Sequence, residues 1–83
     1  MVKEEFYNLL KECGFKGLRH FARESGVRVG NIYSNISGRY KLSIERAFIF
    51  ANTLGVPVDV VLGIFHADEM EKNRKAIEEK HLL

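Results

Sequence analysis

The chain has 83 residues, 46% hydrophobic and 29% charged, which suits one globular domain and excludes global disorder. Its net charge is only +2, and its one cysteine, Cys13, leaves no partner for an internal disulfide, so a reducing, cytoplasmic setting is expected. Lys3, Glu4 and Glu5 stand where a secretory signal would turn apolar, and the longest apolar runs, Ala47–Ala51 and Val60–Phe65, fall far short of a membrane span.

Taken in chain order, Phe6, Leu9, Leu10 and Cys13 follow i, i+3, i+4, i+7 spacing and predict an amphipathic helix over Val2–Cys13, ended by Gly14. A second helix is predicted from about Gly17 to Ser25, burying Leu18, Phe21 and Ala22. Gly26 then turns the chain, since a left-handed backbone is cheap only for glycine. The third helix covers Val29–Ser37 and stops at Gly38, and a basic loop, Arg39-Tyr40-Lys41, leads to Ser43, a good N-cap. The fourth, Ile44–Leu54, is expected to bury Ile44, Ala47, Phe48, Ala51 and Leu54 before Gly55 closes it. Val58, Val61, Leu62 and Phe65, behind Pro57, predict a fifth.

No strand-like alternation, low-complexity run or internal repeat interrupts this pattern. The expected fold is all-α: a compact bundle of five short helices containing a helix-turn-helix, over residues 1–65. Residues 66–83 differ in composition, with nine charged side chains and a helix-favouring Glu71–Lys75 pair. Ala67, Met70, Ile77 and His81 fall near heptad-seam positions that Arg74 interrupts. This tail reads either as a charged helical extension fraying in solvent or as a dimerising or docking helix.

The positive charge is concentrated. Residues 14–41 carry Lys16, Arg19, Arg23, Arg28, Arg39 and Lys41 against Glu24 alone, a local balance of +5, while both flanks are net negative. Such clustering is the footprint expected of a phosphate-binding surface, although a solvated polar face would look the same. On a helical wheel turning ~100° per residue, Ile32, Ile36 and Val29 share the core side of the third helix. Gly30, Asn31, Ser34 and Ser37 point outward, a flat face able to enter a groove about 12 Å wide. Asn31 can bridge adenine N6 and N7, Ser34 can bond several bases, and Tyr33 on the flank can reach a phosphate or sugar. Glycine at position 30 costs roughly 1 kcal/mol against alanine in a helix interior, and close approach to DNA is one reason to accept that.

Several landmarks recur at fixed distances: Phe21-Ala22, Gly26-Val27, Ile32, Gly38, Leu42-Ser43-Ile44-Glu45 and Ala51-Asn52-Thr53-Leu54-Gly55-Val56-Pro57-Val58-Asp59-Val60-Val61-Leu62-Gly63. Together they make the span Phe6–Gly63 resemble the lambda-repressor-like, Cro/CI-type helix-turn-helix family. That resemblance implies a DNA-binding regulator with base-reading residues at Arg28, Val29, Gly30, Asn31 and Ser34. Its DNA-backbone contacts would fall at Lys16, Leu18 and Arg19, before and in the second helix, and at Arg39, Tyr40 and Lys41 in the loop, to which the helix-face reading adds Tyr33 and Ser37 on the third. Leu18 stands where a polar phosphate-gripping residue is usual, Arg28 replaces a Ser/Thr cap, and Val29 and Gly30 replace polar readers. Thymine-methyl contact by Val29 would compensate in part, with more of the specificity resting on shape and phosphates.

Other chemistry finds no support. Cys13 lies on the core stripe of the first helix, and His20, His66 and His81 show no metal-ligand spacing, so neither catalysis nor a metal, cofactor or small-molecule ligand is expected. Ile49 lies about 140° round the fourth helix from Ile44, facing away from the core, with Phe50 at the margin and Val60 and Ile64 off the fifth helix's stripe. These four, with Met70 and Ile77 of the tail, form the expected homodimer surface. A two-fold dimer would place two recognition helices about one DNA turn, ~34 Å, apart. The expected function is a cytoplasmic, sequence-specific double-stranded DNA-binding regulator. The resemblance suggests a phage or mobile-element repressor acting by operator occupancy. The alternative is a protein-interaction module of antitoxin or anti-repressor type, with the helix pair as scaffold.

Overall fold

Five helices and no strand make up the described residues of the computed structural model, which are 2–66. They are α1 (Val2–Glu12), α2 (Leu18–Ser25), α3 (Val29–Ile36), α4 (Ile44–Leu54) and α5 (Val58–Phe65). The all-α reading therefore holds, with each helix end within a residue or so of its expected place. The tail from residue 67 onward, including Met70 and Ile77, lies outside the described residues.

The core is built around phenylalanine. Phe6 of α1, Phe21 of α2 and Phe50 of α4 are fully buried. Their ring centroids lie 5.5 Å apart for Phe6–Phe21, 5.7 Å for Phe6–Phe50 and 5.1 Å for Phe21–Phe50. Phe65 of α5 packs on Phe6 at 5.3 Å, and Phe15, before α2, packs on Phe21 at 5.4 Å, both edge to face. Edge-to-face geometry sets the positive ring edge against a neighbour's negative face, adding to the apolar burial. Leu10, Ile32, Ala47, Ala51 and Val61 fill the remaining space.

This cluster fixes the rotation of α4 and corrects the sequence reading of that helix. Two overlapping stripes satisfy the same helical spacing: Ile44, Ala47, Phe48, Ala51 and Ala47, Phe50, Ala51, Leu54. The second is the buried one. Ile44 is 67% exposed and Phe48 50% exposed, whereas Phe50, expected at the surface, is 0% exposed. The physical reason is that Phe50 reaches three other aromatic rings at once, and turning Phe48 inward would remove it from them. Val29, expected on the core side, is also on the surface, because it occupies the first residue of α3 where the stripe runs out. Cys13 is half-buried against the core rather than enclosed.

Helix ends follow local chemistry. Gly26 adopts φ 75° and its N–H bonds the Ala22 carbonyl at 2.9 Å, closing α2 as a left-handed glycine cap does. Ser25 braces the same corner: its hydroxyl donates to the Ala22 carbonyl and accepts from the Val27 N–H, each at 3.3 Å. Val27 plugs the turn from below, being buried itself. Ser43 caps α4 by accepting from the Arg46 N–H at 3.1 Å, as its residue type predicts. α2 and α3, joined by this three-residue turn, are the helix-turn-helix.

Candidate nucleic-acid interface

Because Ile32, Asn35 and Ile36 face the core, the opposite side of α3 is left to solvent. Arg28, Val29, Gly30 and Asn31 are exposed and Ser34 is half-buried. A β-carbon added at Gly30 would meet nothing within 4 Å, so no internal packing demands glycine there. Arg28 holds the N-cap position with extended backbone and makes no side-chain cap bond, and its side chain is exposed. Asn31 makes no side-chain hydrogen bond among the described residues. Ser34 is engaged: its hydroxyl donates to the Gly30 carbonyl at 3.0 Å, and Ser37 likewise donates to the Ser34 carbonyl at 3.2 Å.

The flanking basic groups come before and in α2 and after α3. Lys16 and Arg19 are exposed around the start of α2. His20 accepts from the Lys16 N–H through Nδ1 at 3.1 Å, while its Nε2 lies 4.0 Å from Glu24, an ion pair only when the ring is protonated. That bond ties the backbone of Lys16, just before the uncapped Gly17 N-terminus of α2, to the first turn of the helix. Leu18 is buried, so its side chain belongs to the core and makes no outward contact. Beyond α3, Arg39, Tyr40 and Lys41 are exposed. Tyr33, Ser37, Gly38, Tyr40 and Lys41 border one open hollow of about 990 Å³ that Lys3 of α1 also lines.

Sequence reasoning missed what holds the basic loop. Asn35 is 5% exposed, the only buried polar residue among those described. Its Nδ2 donates to the Tyr40 carbonyl at 3.0 Å and its Oδ1 accepts from Arg46 Nη1 at 3.2 Å. The Tyr40 N–H bonds back to the Ser34 carbonyl at 3.1 Å, and a ring nitrogen of His66, at the end of α5, lies 3.0 Å from the Leu42 carbonyl. The signal was present: Asn35 interrupts an apolar stripe between Ile32 and Ile36, and a buried amide at such a position must find partners. Asn35→Ala would strand the Tyr40 carbonyl and the Arg46 head, so a loss of about 1–3 kcal/mol is expected in urea unfolding. An unchanged midpoint would show that the loop does not depend on this bridge.

Tyr7 was also missed. Its hydroxyl, on α1, donates to that of Tyr33 at 3.5 Å. Burial first, then this bond and the nearby phenol, push the Tyr7 pKa up from 10.0 to about 12. The folded state thus holds this proton more tightly than the unfolded chain does. The resulting stability is complete below the unfolded value of 10.0 and is lost as pH rises through about 12. In melts across that window Tyr7→Phe should lose less stability than the parent, and an identical alkaline decline in both would refute this assignment.

The expected dimer surface is only partly assembled. Ile49 and Val60 are 38% and 40% exposed on α4 and α5, and Ile64 is half-buried against the core. Phe50 contributes nothing to it, and the exposed Ile44 and Phe48 take its place as the apolar side chains of α4's surface. No group of three or more metal-binding side chains occurs among the described residues, and no described helix is long and apolar enough to cross a membrane. No family model, curated protein or solved structure matches the chain.

Proposed function

We infer that the protein is a double-stranded DNA-binding regulator that inserts α3 into the major groove. The observation that carries this reading is the outer face of α3: Gly30, Asn31 and Ser34, small or polar, behind the exposed Arg28. A helix with no bulky side chain on its free side can approach base edges closely. Lys16 and Arg19 around the start of α2, and Arg39 and Lys41 after α3, supply cations for the phosphate strands that border a groove. The landmarks from Phe6 to Gly63, which resemble the lambda-repressor-like family, support the same reading. With two copies docked on a two-fold operator, occupancy alone would block polymerase in the cytoplasm of the host cell.

Each phosphate neutralised releases counterions, so affinity should fall with salt at about −0.9 in log K per log salt for each contact. Three or four such contacts per chain give a slope of roughly −3 to −4. Fluorescence anisotropy with a labelled random-sequence duplex measures it, and an affinity that stays flat from low to moderate salt overturns the reading.

A second reading has one observation in its favour. Ile44, Phe48, Ile49 and Val60 expose large apolar side chains on α4 and α5, as a protein-interaction module of antitoxin or anti-repressor type would. In that case the variant Phe48→Ser, not changes on α3, would abolish the partner complex.

A further inference from the structure

The hydrogen bonds within α3 narrow what this helix can read. A base edge is recognised by matching donors to acceptors, and the major groove offers a different pattern for each base pair. Guanine presents two acceptors, N7 and O6, and needs a side chain with two donors. Adenine presents one acceptor and one donor, and thymine an acceptor beside a methyl group.

Ser34 has already committed its only proton to the Gly30 carbonyl at 3.0 Å. While that bond holds, its oxygen offers lone pairs, so it accepts from adenine N6 or cytosine N4 rather than donating to guanine. Ser37 is engaged twice, donating to the Ser34 carbonyl at 3.2 Å and accepting from the Arg39 N–H at 3.4 Å. Asn31 is exposed with its amide uncommitted, and its one-donor, one-acceptor edge matches adenine. Val29 is 37% exposed and offers methyl groups, complementary to the thymine C5-methyl. Gly30 offers nothing. From Val29 to Ser37, therefore, no side chain presents the fork of separate donor nitrogens that best matches guanine N7 and O6, and only Arg28 at the helix start does.

We propose that the half-site read by this protein has A·T pairs under Val29 and Asn31, an amino-bearing base (adenine or cytosine) under Ser34, and guanine read on the contacted strand only at the one end that lies under Arg28. The proposal rests on the DNA-binding reading above and gives it a ligand chemistry. These pairs are read by donor–acceptor pattern and by methyl contact, so recognition depends on atoms in the groove as well as on DNA shape.

The experiment is selection of duplexes from a random pool by the full chain, followed by titration of the winning duplex carrying single replacements. The selected half-sites should share A·T pairs at the positions under Val29 and Asn31, with adenine or cytosine on the contacted strand under Ser34. Replacing the adenine under Asn31 by guanine should weaken binding about tenfold or more, and Asn31→Ala should erase that discrimination. Replacing thymine by deoxyuridine, which removes only the methyl, should weaken binding several-fold for the parent and not at all for Val29→Ala. Winners with guanine at several inner positions, or indifference of the parent to deoxyuridine at every thymine, overturn the proposal while leaving DNA binding in place. A pool from which no duplex is enriched overturns both.

Discussion

Phe50→Ala is expected to remove about 3–5 kcal/mol of stability, the usual loss when a fully buried aromatic ring is cut back to a methyl. Small domains hold only about 5–15 kcal/mol in total, so this substitution should leave the protein barely folded. Phe50 touches the rings of Phe6, Phe21 and Phe65, with centroids 5.7, 5.1 and 6.1 Å away. Removing it therefore opens a void where α1, α2, α4 and α5 meet, and none of those helices can close over it without leaving another. Phe48→Ala, two positions away on the same helix and 50% exposed, is the internal control and should change stability by no more than about 1 kcal/mol. Chemical denaturation followed by circular dichroism measures both. Equal losses for the two variants would mean that α4 turns a different face towards the core.

That contrast also shows where sequence reasoning succeeds on this chain and where it fails. Helix existence was legible because glycines and a good cap punctuate the chain: Gly14, Gly26, Gly38 and Gly55 all adopt positive φ at helix ends, and Ser43 caps as its side chain permits. Helix rotation was not legible for α4, since Ile44, Phe48 and Phe50 are all apolar and two stripes fit one helical period. Only tertiary packing chooses between them, and it chooses the ring that can join the aromatic cluster. The outer face of α3 was legible because Ile32 and Ile36 fix its inner face unambiguously. Val29 was misassigned inward by the same wheel, which treats the helix as endless and ignores that the first residue overhangs the core. The supports of the basic loop escaped for a different reason. Asn35, Arg46 and His66 are far apart in sequence and converge only when α3, α4 and α5 are packed, although the lone amide on an apolar stripe marked one of them.

The second large effect is functional. The double variant Arg28→Ala with Asn31→Ala should weaken binding of the selected duplex by about thirtyfold or more. Each good base-edge pair contributes about 1–3 kcal/mol, and every 1.4 kcal/mol is a factor of ten. The fold should be untouched, because both side chains are exposed and neither takes part in a cap or core contact. Its unfolding midpoint should match that of the parent. Non-specific binding at low salt should persist, reduced by the single cation lost, since Lys16, Arg19, Arg39 and Lys41 remain. A double variant that binds the selected duplex as tightly as the parent would place recognition elsewhere on the molecule. If a protein complex were lost instead, with duplex affinity intact, the interaction-module reading would replace the regulator.

If α3 reads DNA as proposed, Gly30 makes the recognition surface and the folded body separable in evolution. A β-carbon at this position would meet nothing within 4 Å, on ordinary right-handed helical backbone, and most replacements would firm up α3 by as much as about 1 kcal/mol. One codon change to arginine would introduce a second two-donor group and redirect preference towards guanine without a compensating change in the interior. Relatives diverging at this residue could thus acquire new target sequences while keeping an identical hydrophobic centre.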